Sequence, residues 1–206
     1  MIYGVGVNDL STPVSYMESG KQKYIPEYTL WRNMLNRCYG KDYNSKFNAY
    51  GGVTVCEEWK RFSNFKKFYD QQHFEGSDLD KDLTILGNKI YSPETCAFIP
   101  VKLNRALAWN SVEDNLAGVT WDKKREVFSS RVYLNGKRKF LGYYESAKKA
   151  HKAWQLAKAE HLEKILLDWR SEPSYIEAVA TNVALIIRKL REDADQGIET
   201  KNFWEV

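Results

Sequence analysis

Three aspartates, Asp78, Asp80 and Asp82, alternate with other residues in one short segment of the chain. In a β-strand, alternate side chains point to the same face, so the three carboxylates would lie side by side. Together with the side-chain oxygen of Asn88 they could hold Mg²⁺, a hard cation that prefers oxygen ligands. Lys81 lies among them, and a lysine is protonated at neutral pH, so it donates a proton more readily than it accepts one.

A second set of chemically useful side chains surrounds Asn135-Gly136. This dipeptide predicts a type I′ hairpin turn, because both of its central residues need a positive φ. The turn sets the register and places three pairs opposite each other on one side of the sheet: Leu134 with Lys137, Val132 with Lys139, and Ser130 with Leu141. The other side carries two arginines interleaved with two aromatic residues: Arg131, Tyr133, Arg138 and Phe140.

Such a face suits a DNA groove. Arginine binds guanine edges or phosphates, and aromatic rings contact sugars or thymine methyl groups. We expect Thr120 and the first-turn residues Lys123, Lys124 and Arg125 to extend this basic surface. The alternative is an ordinary polar strand face with a cross-strand cation–π pair.

The elements that must position these residues follow from periodicity. The spacing of apolar residues predicts a helix over 26–39, a short strand over 53–56 after a break at 50–52, and a second helix with an aromatic inner face over about 59–69. Residues 76–110 contain glycine and prolines between short apolar runs and predict a compact β-hairpin and a short helix.

The second half of the chain gives stronger signals. Period-two alternation predicts strands over 117–122, 127–134 and 137–144. A long helix follows over 147–169, with Ser146 as its N-cap, and Ser174 with Glu177 predicts a capping box for a last amphipathic helix. The fold class is therefore α+β: a small module of two strands and a helix with flanking helices, then a three-stranded antiparallel sheet packed on a long helix, and a C-terminal helix.

Composition limits the function classes. The 206 residues are 43% hydrophobic and 14% aromatic, enough to bury a core. No run approaches the roughly 18 apolar residues of a membrane helix, and the start of the chain lacks a secretion signal, so we expect a cytoplasmic protein without membrane contact. Residues 100–170 carry 15 basic against 8 acidic side chains, a local excess typical of phosphate-binding surfaces.

The sheet-forming region resembles a known family. Gly118-Val119-Thr120-Trp121, the run 130–138, Phe140-Leu141-Gly142-Tyr143-Tyr144 and an Ala-rich helix with Trp154 resemble the Apetala-type domain of plant ethylene-response factors. Similar domains occur in mobile-element and bacteriophage proteins. The resemblance implies that the three-stranded sheet lies in the DNA major groove, with Arg131, Tyr133, Arg138 and Phe140 at the reading positions.

Residues 28–110 resemble phage proteins of the HNH homing-endonuclease group. The resemblance rests on the helix 28–39, Tyr50-Gly51-Gly52-Val53, the run 56–59, Leu79-Asp80-Lys81-Asp82, Gly87-Asn88 and the run 91–96. It implies a metal ligand at Asp80, Lys81 in place of the general-base histidine, and Thr95 in place of the final ligand. Asp80, Lys81 and Asn88 are thus the candidate catalytic residues, and Asp80, Asp82 and Thr95 the candidate Mg²⁺ ligands.

Three functional readings follow. The leading one is a phage or mobile-element protein that binds duplex DNA, with an HNH-like module (1–110) of impaired catalysis, a DNA-binding domain (115–170) and a C-terminal amphipathic helix with an acidic tail (171–206). The second is an active, Mg²⁺-dependent nicking endonuclease. The third is a phage inhibitor of a host nucleic-acid enzyme or defence system, with the C-terminal helix as the protein contact.

Overall fold

The computed structural model describes residues 1–41, 52–108 and 116–203. The predicted break at Tyr50-Gly51 and the predicted segment boundaries at 110 and 115 lie outside these ranges. The chain forms two compact units, one of residues 1–75 with 88–98 and the other of residues 76–87 with 99–206. This division joins residues that sequence analysis placed in three segments, because 76–87 and the C-terminal helix belong to the same unit as the sheet.

The first unit is built around aromatic residues. A hairpin of β1 (Ser15–Glu18) and β2 (Lys21–Tyr24) precedes α1 (Pro26–Tyr39), and α1 packs on α2 (Phe62–Gln72). Trp31 and Trp59 are fully buried between them, and the Trp31 indole N–H donates to the Trp59 carbonyl at 2.7 Å. The short strands β3 (Thr54–Val55) and β5 (Ile90–Tyr91) pair in parallel. The first predicted helix is confirmed at both ends.

The second unit begins with β4 (Ser77–Asp80). This strand pairs with β6 (Ala97–Pro100), of which Ile99 and Pro100 belong to the second unit. The expected hairpin of residues 76–110 is therefore wrong in detail, because β5 lies between β4 and β6 in sequence and pairs with β3. The short helix is confirmed as α3 (Val101–Leu107).

The rest of the second unit is a sheet covered on one side by a helix pair. The antiparallel sheet runs β7 (Val119–Asp122), β8 (Val127–Leu134) and β9 (Lys137–Tyr144). The long helix α4 (Ala147–Trp169) packs on all three strands, and α5 (Glu177–Gln196) packs on α4. The α+β fold class, with a three-stranded antiparallel sheet on a long helix and a C-terminal helix, is confirmed.

Two helix caps were predicted from serine residues, and only one of them forms. Ser146 caps α4 as expected, and its hydroxyl accepts the Lys149 backbone N–H at 3.3 Å. The capping box of Ser174 and Glu177 is wrong, since α5 begins at Glu177 with no side-chain cap. The Ser174 hydroxyl instead accepts the Trp169 indole N–H at 3.0 Å. The indole N–H of buried Trp169, five residues earlier, occupies the hydroxyl that the capping box would have used.

Candidate nucleic-acid interface

The covered side of the sheet fixes which side chains remain available on the other. Val132 is 1% exposed and faces α4, where Trp154 and Ala150 are also buried. Gly118 lies under the Trp154 ring at a φ of +76°, and a Cβ added there would come within 2.1 Å of Trp154 Cδ1. Glycine is required at this position both by its φ and by the close approach of the indole ring.

The opposite face of the sheet is open to solvent. Cross-strand partners share a face, and the register pairs Tyr133 with Arg138 and Arg131 with Phe140, as the turn predicted. Tyr133 is 58% exposed and Phe140 47% exposed. We call this the open face, and its members on β7, β8 and β9 are Thr120, Ser129, Arg131, Tyr133, Arg138, Phe140 and Tyr143, of which Ser129 is itself buried.

Arg131 is held in place on the open face. One of its guanidinium N–H groups donates to the Ser129 hydroxyl at 3.0 Å, and its Cζ lies 5.6 Å from the centroid of the Phe140 ring. The Ser129 hydroxyl in turn donates to the Thr120 carbonyl at 3.1 Å. Arg131 is half-buried, whereas Arg138 is exposed. The two arginines therefore differ in how far their positions are set before any ligand binds.

The turn between β7 and β8 adds basic side chains at one end of the face. Asp122 accepts the backbone N–H groups of Lys124 and Arg125 at 3.0 and 3.1 Å, and the Arg125 guanidinium at 3.1 Å. Partial desolvation opposes ionisation of this carboxyl, but the hydrogen bonds from Arg125 and Lys124 outweigh it and hold its pKa below the usual value. Lys123 and Lys124 are exposed.

One part of the predicted register is wrong. Ser130 lies opposite Gly142 and not Leu141, because a bulge between Ser130 and Arg131 leaves Leu141 as an extra residue on β9. The bulge restores alternation with an offset of one residue and turns Tyr143 onto the open face, where it is 45% exposed. Sequence analysis missed Tyr143 for this reason, whereas Ser129 alternates with Arg131 on β8 and was not singled out. Gly142 in mid-strand was the available signal for a bulge.

Lys139 also follows the predicted register. It lies opposite Val132 on the side that α4 covers, yet it is exposed. Its strand β9 is at the edge of the sheet, so the long side chain can extend past the edge into solvent.

The aspartates of residues 78–82 do not share one strand face, because β4 ends at Asp80. Asp78 accepts the Asn104 side-chain amide at 3.1 Å. Asp80 Oδ1 instead caps the turn after the strand, accepting the backbone N–H groups of Asp82 at 2.9 Å and Leu83 at 2.7 Å. Desolvation, reinforced by the nearby Asp82 carboxylate, raises the pKa of Asp80 to about 6 despite these hydrogen bonds.

The other candidate catalytic residues also take part in local structure. Lys81 forms an ion pair with Asp82. In the other unit, the Asn88 amide and the Thr95 hydroxyl both donate to the Ile90 carbonyl, at 2.7 and 2.6 Å. Asp80, Lys81 and Asp82 are thus brought together in one turn, and Asn88 and Thr95 around one residue of β5.

The contacts of these side chains bear on whether they could bind Mg²⁺. Among the described residues no three His, Cys, Asp or Glu side chains form a group that could hold a metal ion. Asp80 Oδ1 and Asp82 Oδ1 are engaged by N–H donors, and the Thr95 hydroxyl is a donor to a carbonyl. These contacts engage one oxygen of each carboxylate and the Thr95 hydroxyl, and Mg²⁺ binding stays a prediction from sequence.

Comparison of the chain with protein-family models, with curated proteins and with solved structures found no match. Across the described ranges, no helix has the length and apolar character needed to cross a bilayer.

Proposed function

We propose that this protein binds duplex DNA through the open face of its three-stranded sheet. The observation that carries the proposal is the placement of Arg131 and Arg138, with exposed Tyr133 and Phe140, on the one side of the sheet that α4 does not cover. Side chains meant for a core would be apolar throughout, and large rings left in solvent do not stabilise the fold. Exposed rings beside charged side chains are instead typical of an interaction surface. The basic excess of residues 100–170 supports the same assignment.

The two arginines have different roles within this proposal. Arg131 is held by Ser129 and Phe140, so its remaining N–H groups can present a fixed edge to a base, guanine being the best match for a bidentate donor. Arg138 is exposed on the edge strand and suits a phosphate, which tolerates a less fixed donor. The HNH-like segment is a second contact in this proposal.

The test is fluorescence anisotropy with a labelled 30-bp duplex pool, titrated at several salt concentrations. We expect affinity to fall steeply with salt, because bound cations displace counterions. Arg138→Ala should weaken binding to all sequences and lower the salt slope by about one unit, whereas Arg131→Ala should cost about 1–3 kcal/mol and relax preference at one position. Lys164→Ala is the matched control, since it removes one exposed charge from α4.

A flat salt dependence, or equal losses for Lys164→Ala and the two arginine variants, would contradict the proposal. Selection of bound sequences from the duplex pool then identifies the position that Arg131 reads.

The nicking activity expected from the HNH resemblance stays a prediction with its own test. Supercoiled plasmid is incubated with the protein in Mg²⁺ or Mn²⁺ and resolved on a gel. If relaxed circles form, Asp80→Ala and Asp80→Asn must both be compared, because Asp80 also caps a turn. Loss of nicking in a folded Asp80→Asn variant would support a metal ligand at this position.

A further inference from the structure

Four side chains on the open face form a continuous series of contacts, which we call the ring–guanidinium ladder: Arg125, Tyr143, Phe140 and Arg131. The Cζ of Arg125 lies 5.1 Å from the Tyr143 ring centroid, and that of Arg131 lies 5.6 Å from the Phe140 ring centroid. The two rings are 4.9 Å apart at an interplanar angle of 63°. The ladder therefore links the β7–β8 turn to β9 and β8.

The ladder decides what the rings can do. A guanidinium lies against each ring, and the two rings meet edge to face. Proteins that bind single strands stack successive bases on open aromatic faces. Part of the ring surface of Phe140 and Tyr143 is already in contact with the arginines and with the other ring. The two rings are therefore poorly suited to stack with unpaired bases.

The same contacts prepare the arginines. A guanidinium has five N–H donors. Arg125 donates to Asp122 and Arg131 donates to Ser129 through Nη1, so one nitrogen of each guanidinium is engaged. Stacking on a ring fixes the plane of the guanidinium, and less conformational entropy is lost when its remaining N–H edge meets a base or a phosphate.

We infer that Phe140 and Tyr143 are positioning residues that orient Arg131 and Arg125, and that the open face is therefore selective for duplex over single-stranded DNA. This inference rests on the proposed DNA binding. It assigns a role to Tyr143, which sequence analysis did not place among the reading positions, and it changes the role of Phe140 from direct contact to support of an arginine.

The experiment measures anisotropy for one 30-bp duplex and for each of its separated strands, using the full chain. Tyr143→Leu and Phe140→Leu remove the rings, and Tyr143→Phe keeps the ring while deleting only the hydroxyl. Tyr16→Leu, on the exposed hairpin of the other unit, is the matched control because Tyr16 is 48% exposed. Thermal melting of each variant checks that the fold is kept, as expected for rings nearly half exposed.

We expect wild-type protein to prefer the duplex, and each Leu variant to lose about two- to fivefold in duplex affinity, the range of an exposed cation–π contact. Tyr143→Phe and Tyr16→Leu should bind as wild type does. The salt slope of Tyr143→Leu should also decrease, because Arg125 is no longer held toward the phosphates.

Three outcomes would overturn the inference, and they are distinguishable. If wild-type protein binds neither duplex nor single strand, the proposed function fails and this inference fails with it. If wild type binds the duplex but both Leu variants bind equally well, the proposed function stands and the positioning role is wrong. If the separated strands bind more tightly than the duplex, the rings serve as a stacking surface instead.

Discussion

The three-stranded sheet (117–144) and the turn after β4 (80–83) both carry residues singled out by sequence, yet only the sheet presents them as expected. On the sheet, Arg131 and Arg138 share the open face that the Asn135-Gly136 turn predicted. In the turn, Asp80 accepts two backbone N–H groups and Lys81 pairs with Asp82. The geometry of a strand by itself places alternate side chains on the same face. A motif match, in contrast, does not show which neighbouring groups will form hydrogen bonds or ion pairs with its side chains.

The largest effect should come from reversing the covered side of the sheet. Val132→Asp places a carboxylate at a site that is 1% exposed, and we expect it to destabilise the second unit by more than about 4 kcal/mol. Arg131→Ala and Arg138→Ala should each change stability by about 1 kcal/mol or less, since they lie on the open face. Urea denaturation followed by circular dichroism measures all three.

A folded Val132→Asp protein that has lost only DNA affinity, together with early melting of the arginine variants, would show that the two faces are the reverse of those described. Unfolding of Val132→Asp with normal melting of both arginine variants would confirm the assignment.

The second effect tests the turn in the same way. Asp80→Ala removes the acceptor for the Asp82 and Leu83 N–H groups and should cost about 1–3 kcal/mol. Asp80→Asn keeps an acceptor oxygen without the charge. Because the pKa of Asp80 is raised to about 6, the stability associated with its neutral form is present below about pH 4 and is lost as pH rises through 6. The free energy of unfolding of Asp80→Asn, relative to that of wild type, should therefore be highest at pH 8.

Urea midpoints at pH 4 and pH 8 provide the measurement. Equal stability of the Ala and Asn variants at both pH values would mean that Asp80 does not support the turn.

The parts of the fold that sequence predicted are those set by neighbours along the chain. The bounds of β8, β9 and α4 agree with the alternation, the turn and the helical spacing. The errors arise where a contact outside the repeating pattern intervenes. Ser174 accepts the indole N–H of Trp169, five residues earlier, instead of capping α5, and the bulge shifts Leu141 and Tyr143 by one residue. No periodicity encodes these contacts, because they depend on how particular side chains pack.

A third, smaller effect compares the two predicted helix caps. Ser146→Ala should destabilise α4 by about 1 kcal/mol, because the hydroxyl accepts the Lys149 N–H. Glu177→Ala should change stability by less than about 0.5 kcal/mol, since it has no capping partner at the start of α5. Thermal melting of both variants decides the point. A larger loss of stability for Glu177→Ala than for Ser146→Ala would favour the predicted capping box over the observed helix start.

The smallest expected effect is a change of pH dependence at His151, where the three-stranded sheet meets a distant part of the chain. His151 Nδ1 donates to the Ala117 carbonyl at 2.9 Å, and its Nε2 accepts the Thr200 backbone N–H at 3.2 Å. The ring is 2% exposed and must be neutral to accept from Thr200. Burial lowers its pKa, while the Ala117 contact and the charges of Glu199 and Asp193 act in the opposite direction without restoring it.

The sign of the pH effect follows from this lowered pKa. The stability contributed by neutral His151 is complete above the usual pKa of about 6.5 and is lost as pH falls toward the lower value of the folded state. The charged groups facing the ring from α5 and the C-terminal segment are Asp193 and Glu199, and both would favour protonation. Between pH 7.5 and 5, wild type should therefore lose stability relative to His151→Gln, whose amide can donate and accept without titrating. His73→Gln, an exposed site in the other unit, is the control. Parallel pH profiles for wild type and His151→Gln would show that the Ala117–His151–Thr200 contact does not couple the three-stranded sheet to the C-terminal segment.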